Sequence, residues 1–169
     1  VFMIMIYWAF RNSNRSYANQ LFSKLQILSA AFLSYSHGKN DAQNAIGMMA
    51  LSWAVYSSSD VVVQPWMQIS CGLAIGVGTG LGGWRVIHTL GSKVTKLIPA
   101  SGFAANTAAA GVIEAASWIG LPVSTTHTSS SAIMGVGITR GIFAVRWNVV
   151  KGIIGAWLIT YPACSILGW

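Results

Sequence analysis

Apolar and polar segments alternate along this chain with lengths typical of membrane-spanning helices. Apolar stretches cover residues 1–10, 25–56, 61–83, 99–120, 121–139 and 152–168. A helix needs about 20 predominantly apolar residues to cross a bilayer. The pattern predicts an all-α fold made of polytopic transmembrane helices.

The first 24 residues are expected to form the end of a truncated span and a cytoplasmic loop. Residues 1–10 are apolar but too few to cross a bilayer. The loop, residues 11–24, contains Arg11, Arg15 and Lys24 and no acidic residue. We therefore divide the chain into residues 1–24 and a larger transmembrane unit, residues 25–169.

The long apolar run at residues 25–56 predicts a broken helix. It is interrupted by the polar sequence from His37 to Asp41. As one helix it would measure roughly 48 Å, against a hydrocarbon core of about 30 Å. We expect the helix to break near Gly38, with two arms meeting at the polar residues.

The next segments predict a span, an interfacial helix and a helix pair. Residues 61–83 carry no charge and place Gly72, Gly76 and Gly80 at the four-residue spacing of a helix-contact face. Residues 84–98 are amphipathic and suit the membrane surface. Residues 99–120 and 121–139 form either two crossings or a re-entrant hairpin, and residues 152–168 form a last span.

Composition excludes a free-standing soluble domain. Hydrophobic residues make up 54% of the 169 positions and charged residues 8%, whereas soluble domains carry about 25% charged residues. The net charge of +7 comes from basic segments at residues 11–24, 85–96 and 140–151. The positive-inside rule places all three in the cytoplasm, so we expect no nucleic-acid partner.

The first polar cluster lies where ionisable groups are rare. Helical spacing places His37, Asp41 and Asn44 on one face, with Asn40 beside them. A carboxylate flanked by carboxamides offers oxygens to a cation and N–H donors to an oxyanion. The alternative is structural, with Asp41 paired to Lys39 or His37.

The second cluster, Ser124, Thr125, Thr126 and His127, follows Pro122 and precedes an apolar helical stretch. A helix that begins here would direct its N–H groups and hydroxyls at an anion. In the alternative, these hydroxyls bond only to their own helix.

Enzymatic chemistry is not indicated. Ser124 lacks the Gly-x-Ser-x-Gly turn of hydrolases, and the three histidines are too widely spaced to suggest a metal site. We expect no cofactor. Glu114 is either a proton relay or a hydrogen-bonded structural acid, and its small, apolar neighbours favour the structural role.

Three motifs stand in order along the chain: SHGKNDAQNAIG, TKLIPASGFAANTAAA and GLPVSTTHTSSSAIMGVG, the last followed by VRWNVVKGIIGAWLITYPA. Together they resemble the inorganic phosphate transporter (PiT, or PHO4) family of secondary carriers. Members of that family have two inverted repeats and couple phosphate uptake to Na⁺ or H⁺. The resemblance implies that this chain is the C-terminal repeat, one half of an inverted-repeat transporter.

The resemblance also implies roles for particular residues. Phosphate would bind to Asn40, Asn44, Ser124, Thr125 and Thr126, and the coupling cation, H⁺ or Na⁺, to Asp41 with Asn40 and Ser124. An Na⁺ site is expected near Asp41. Secondary candidates are His37, Lys39, Gln43, His127 and Glu114. Lys39 and Gln43 depart from the family's GANDVANA form, and the Lys39 ammonium would take the cation's place or favour protons.

The resemblance implies a multi-pass protein of the plasma (inner) membrane that transports phosphate with a cation. Its partners would be inorganic phosphate, the lipid bilayer and the missing N-terminal repeat, or a second copy in a homodimer. Two alternatives stay open: a carrier for sulfate or another tetrahedral oxyanion, and a non-transporting scaffold or phosphate receptor.

Overall fold

Helices joined by short connections make up the residues that the computed structural model describes, 1–168 with the side chain of Arg85 left aside. Trp169, the last residue of the predicted unit 25–169, lies outside the described residues. No strand occurs within residues 1–168, so the all-α prediction is confirmed. The α-helices are α1 (Phe2–Ala9), α2 (Arg15–Ser57), α3 (Pro65–His88), α4 (Pro99–Trp118), α5 (Thr125–Ile138) and α6 (Trp147–Leu167).

Helix α2 is continuous over 43 residues, so the predicted break near Gly38 is wrong. The predicted loop at residues 11–24 is also shorter, because α2 already begins at Arg15. The Asn14 side chain caps this start by accepting a hydrogen bond of 2.9 Å from the Ser16 N–H. An intact helix satisfies its own backbone groups in lipid. A helix longer than the hydrocarbon core can tilt or extend beyond it.

The region between α3 and α4 differs from the predicted interfacial helix at residues 84–98. Helix α3 continues to His88, and a π-helical turn follows at Thr89–Val94. The chain is then extended, because Ile98 precedes Pro99 and proline disfavours the helical conformation in the residue before it. The Ser101 hydroxyl accepts from the Ile98 N–H and donates to the Ile98 carbonyl, both at 2.8 Å, which fixes the start of α4.

Helix α4 lies at the centre of the packing, between α2 and α5. Its buried residues are mainly small, and they include Ala104, Ala105, Ala109 and Ala110. Small side chains let helix backbones approach closely. At Gly102 the approach is so close that a Cβ atom would overlap the Gln26 side chain of α2.

The connection at residues 119–124 reverses the chain between α4 and α5, with Gly120 at a positive φ of 73°. Helix α5 has 14 residues, about 21 Å at 1.5 Å per residue. An apolar cluster of Val94, Val145 and Val150 joins the π-helical turn to the start of α6.

Helix α6 is the one helix within residues 1–168 that is long and apolar enough to cross a membrane by length and composition. The glycine stripe of α3 meets no packed neighbour. A Cβ atom at Gly72, Gly76 or Gly80 would find no heavy atom within 4 Å among the described residues. The contact face predicted for these glycines therefore stays a prediction.

The packing at Gly137 generates a test of the fold. A Cβ atom there would lie 2.6 Å from Val145 Cγ2 and 3.4 Å from the Thr95 side chain. We expect Gly137→Ala to destabilise the full-length protein by about 1–3 kcal/mol, because valine is stiff and the site is filled. Thermal unfolding in detergent measures this loss.

Gly135→Ala is the matched control on the same helix, since a Cβ atom at Gly135 meets nothing within 4 Å. Alanine forms helices more readily than glycine, so this variant is expected to melt at or above the wild-type temperature. Equal melting temperatures for the two variants would contradict the packing described at Gly137.

Candidate functional site

Asn40 joins the middle of α2 to the connection that precedes α5. Its side chain is buried, with a relative exposure of 1%. Its Nδ2 donates to the Val123 carbonyl at 2.8 Å, and its Oδ1 accepts from the Val123 N–H at 3.4 Å. The carboxamide thus pairs with both backbone groups of one residue and holds the start of α5 against α2.

The Asp41 carboxylate contacts three side chains and accepts hydrogen bonds from two of them. Its Oδ1 accepts from Asn40 Nδ2 at 3.2 Å and from Thr125 Oγ1 at 3.3 Å. Its Oδ2 lies 2.8 Å from His37 Nε2, one turn earlier on α2. The Asp41 side chain is 40% exposed. The carboxylate is therefore held in place yet remains open on one side.

The two polar clusters predicted from the sequence meet at this carboxylate. Asp41 and Thr125 are 84 positions apart in the chain. Thr125 is buried and its hydroxyl points across to α2, which is the arrangement that a shared site needs. The structural alternative for Asp41 is also realised in part, because His37 Nε2 contacts its carboxylate.

Helix α5 begins where the sequence predicts a helix start. Ser124 is its N-cap, and the Ser124 Oγ accepts from the His127 N–H at 3.3 Å. The Thr128 hydroxyl donates to the Ser124 carbonyl at 3.0 Å. Ser124 and Thr128 thus bond within their own helix, as the structural alternative predicts, whereas Thr125 bonds outside it.

Lys39 does not contact Asp41. Its Nζ lies 2.6 Å from Glu114 Oε1 on α4, and both side chains are partly exposed. The expectation that the Lys39 ammonium takes the cation's place at Asp41 is therefore wrong for this structure. Glu114, for which a relay and a structural role were open, is the ion-pair partner of Lys39.

Other predicted residues lie apart from the carboxylate. Asn44, Gln43 and Thr126 are exposed, and their side chains make no hydrogen bond to any residue in the range 1–168. The His127 ring packs against Trp157 of α6 instead, with ring centroids 4.0 Å apart. His37, which contacts Asp41, also lines a cavity of about 340 Å³ between α2 and α3.

Sequence reasoning missed the role of Val123 and two buried hydroxyls. Val123 contributes backbone groups, which side-chain patterns do not reveal. The available signal was its position directly after Pro122, which predicts a residue outside a helix. The backbone N–H and carbonyl of such a residue need hydrogen-bond partners from other parts of the chain. Ser36 on α2 and Ser130 on α5 are buried, and their hydroxyls find no partner among the described residues.

The arrangement combines an acceptor for cations with donors for anions. Carboxylate oxygens are ligands for hard cations, and a helix start offers N–H groups and hydroxyls to an oxyanion. Among the described residues, no three side chains of the His, Cys, Asp or Glu type gather into a metal-binding group. A monovalent cation or a proton suits a single carboxylate better than a transition metal does.

The chain is similar to several known proteins. The family model described as "Phosphate transporter family" (PHO4) matches residues 3–168. The probable low-affinity inorganic phosphate transporter of Rhizobium meliloti (strain 1021) is 44% identical, over 98% of this chain and 50% of that protein. A similarly named protein of Bacillus subtilis (strain 168) is 42% identical, over 94% of this chain and 48% of its own length.

A solved structure of the sodium-dependent phosphate transporter has a similar fold. The TM-score is 0.77 and the identity is 31%, over 94% of this chain and 42% of that chain. The present chain spans about half the length of the curated relatives it matches. The family and the relatives are transporters and not enzymes.

The resemblance that the three sequence motifs suggested is thus confirmed by the family match along nearly the whole chain. Membership also implies an integral membrane protein, as the apolar composition indicates. The chain belongs to the phosphate transporter (PHO4) family.

Proposed function

We propose that the full-length protein carries inorganic phosphate across a membrane together with a cation. The observation that carries this proposal is the contact between the Asp41 carboxylate on α2 and the Thr125 hydroxyl at the start of α5. Thr125 is the first residue of α5. The contact therefore places a cation acceptor, the Asp41 carboxylate, beside a helix start that suits an anion. Family membership supports phosphate as the anion.

Phosphate would bind at the start of α5. Ser124 and Thr126 supply hydroxyls there, and the exposed Asn44 supplies an amide from α2. Thr125 takes part through its backbone N–H at the helix start, because its hydroxyl hydrogen is donated to Asp41. Asn40 contributes by position, because both hydrogens of its Nδ2 are already donated, one to Val123 and one to Asp41. Its role is to keep the hydroxyls of α5 beside α2.

The coupling cation would bind at Asp41, with Asn40 and Ser124 nearby. A carboxylate beside a phosphate dianion is unfavourable unless a cation lies between them. We propose Na⁺ as that cation, because the solved relative is named as sodium-dependent. A proton is the alternative, and an Na⁺ gradient at constant pH distinguishes the two.

The rest of the site would come from residues outside this chain. Asp41 is open on one side, and the matched relatives are about twice as long. We propose that the N-terminal repeat covers this side, with a second copy in a homodimer as the other source. We place the protein in the plasma (inner) membrane with several crossings.

The helices α4 and α5 would act as a re-entrant hairpin. The length of α5, about 21 Å, is short of the hydrocarbon thickness of about 30 Å. A hairpin of this kind would bring its turn, residues 119–124, to the depth of the substrate. Rocking of the two repeats around that depth would expose the site alternately to each side.

Replacing Asp41 tests the cation site. We expect Asp41→Asn to lower Na⁺-driven phosphate uptake at least about tenfold, because the amide keeps the shape but cannot offset a cation's charge. Uptake of radiolabelled phosphate by the full-length protein in liposomes measures this. The control is Asp60→Asn, which removes a carboxylate from the exposed α2–α3 connection and is expected to leave uptake unchanged.

Uptake unaffected by Asp41→Asn would remove this residue from the mechanism. Stronger competition by sulfate than by unlabelled phosphate would select a different oxyanion as substrate. Binding of phosphate without accumulation under any ion gradient would instead favour a receptor or scaffold.

Replacing Thr125 tests the contact between the two clusters. Thr125→Val keeps the volume and removes the hydroxyl that donates to Asp41. We expect a rise of about tenfold in the Na⁺ concentration that half-saturates uptake, because a hydrogen bond to a charged group is lost. Thr139→Val is the control, since the Thr139 hydroxyl bonds only to the Val136 carbonyl at the far end of α5. Equal half-saturation in both variants would show that Thr125 does not act on the cation.

The pair formed by Lys39 and Glu114 is expected to stabilise the fold and not to bind substrate. Lys39→Met leaves the Glu114 carboxylate without its partner and should lower the melting temperature. The double variant Lys39→Met/Glu114→Gln should recover most of the loss, as a double-mutant cycle of melting temperatures measures. A double variant that melts normally yet fails to transport would place the pair within the transport site.

A further inference from the structure

A cavity of about 760 Å³ lies beside the turn between α1 and α2, next to the start of α4. It is separate from Asp41, which lies about five turns beyond Phe22, the last α2 residue of its lining. Two arginines, Arg11 and Arg15, contribute to its lining together with polar residues such as Asn19. Its other walls are apolar. The cavity therefore combines a cationic part with a hydrophobic part.

The two arginines have no partner of opposite charge. Neither guanidinium forms an ion pair or a hydrogen bond with residues 1–168. Two of the chain's three acidic residues are engaged elsewhere, Asp41 with His37 and Glu114 with Lys39. The third, Asp60, follows the opposite end of α2. Within residues 1–168, no carboxylate pairs with the arginines of the cavity.

Arginine is suited to phosphate because its planar guanidinium presents N–H donors in pairs. Arg11 and Arg15, each with a guanidinium group, both line this cavity. The charge of the cavity thus favours an anion with phosphate oxygens. Free phosphate and a lipid headgroup share this chemistry.

The apolar wall favours the lipid. Phe10 and Phe22 pack edge to face with centroids 5.0 Å apart, and both line the cavity with Ile6 and Ile98. A free phosphate ion would leave this surface unused, whereas a phospholipid can place its phosphodiester on the arginines and an acyl chain along the aromatic wall. Basic segments on the cytoplasmic side of a membrane attract anionic lipids, and residues 11–24 are predicted on that side.

We propose that this cavity binds an anionic phospholipid, with Arg11 and Arg15 holding its phosphodiester and the Phe10–Phe22 wall contacting an acyl chain. The lipid would join the α1–α2 turn to the start of α4. This site is independent of phosphate transport at Asp41, so either proposal can fail without the other.

Lipid binding to the full-length protein tests the proposal. Purified protein in detergent is mixed with phosphatidylglycerol or phosphatidylcholine, and the bound lipid is counted by native mass spectrometry. We expect phosphatidylglycerol to be preferred by at least about tenfold. The variant Arg11→Gln/Arg15→Gln should weaken phosphatidylglycerol binding by about thirtyfold, which is the effect of two basic groups near a membrane surface.

The matched control removes the same charge from elsewhere on the predicted cytoplasmic side. Lys93 and Lys151 are exposed and do not line the cavity. Lys93→Gln/Lys151→Gln should change binding by less than about twofold. Arg11→Lys/Arg15→Lys keeps the charge and should restore part of the binding, and melting temperatures identify any variant that fails to fold.

Three results would overturn the proposal. Equal losses in the arginine and lysine variants would show that only net charge matters. Unchanged binding in a folded Arg11→Gln/Arg15→Gln protein would show that these arginines do not hold the lipid. Displacement of the lipid by inorganic phosphate would identify a free-ion site instead.

Discussion

The pairing of Asn40 with the backbone of Val123 is the interaction on which the geometry of the site depends. Residues 119–124 leave the helical conformation. The proposed hairpin would place them at membrane depth, where unpaired backbone groups are costly. Asn40 satisfies the N–H and the carbonyl of Val123 together. This pairing anchors the start of α5 to the middle of α2, and the contact of Thr125 with Asp41 follows from it.

The Asp41 carboxylate is therefore both held in position and accessible. The carboxylate of Asp41 is fixed by Asn40, His37 and Thr125, yet it keeps an open side. Fixed donors around a partly exposed charge allow a cation to bind without reorganising the protein. The ion pair of Lys39 and Glu114 fastens α2 to α4 beside this site, so the hairpin of α4 and α5 is attached to α2 at two successive residues.

The site residues could be predicted from the sequence because they are anomalies in an apolar chain. Asp41 and Thr125 stand out as polar groups where lipid-facing residues are expected, and Ser124 is a strong helix cap. The break near Gly38 could not be judged from length alone. Whether a helix breaks depends on whether neighbours satisfy its polar side chains, and here α4 and the 119–124 connection do so. The partner of Lys39 could not be predicted either, because Glu114 is 75 positions away in the chain.

In the proposed mechanism, one site holds the cation and the phosphate together. The most direct measurement is the affinity of the full-length protein for phosphate, by calorimetry at constant pH, with Na⁺ present or replaced by choline. If Na⁺ lies between the Asp41 carboxylate and the anion, Na⁺ should tighten phosphate binding at least about tenfold, and phosphate should tighten Na⁺ binding by the same factor. Phosphate affinity that is the same with and without Na⁺ would contradict the account.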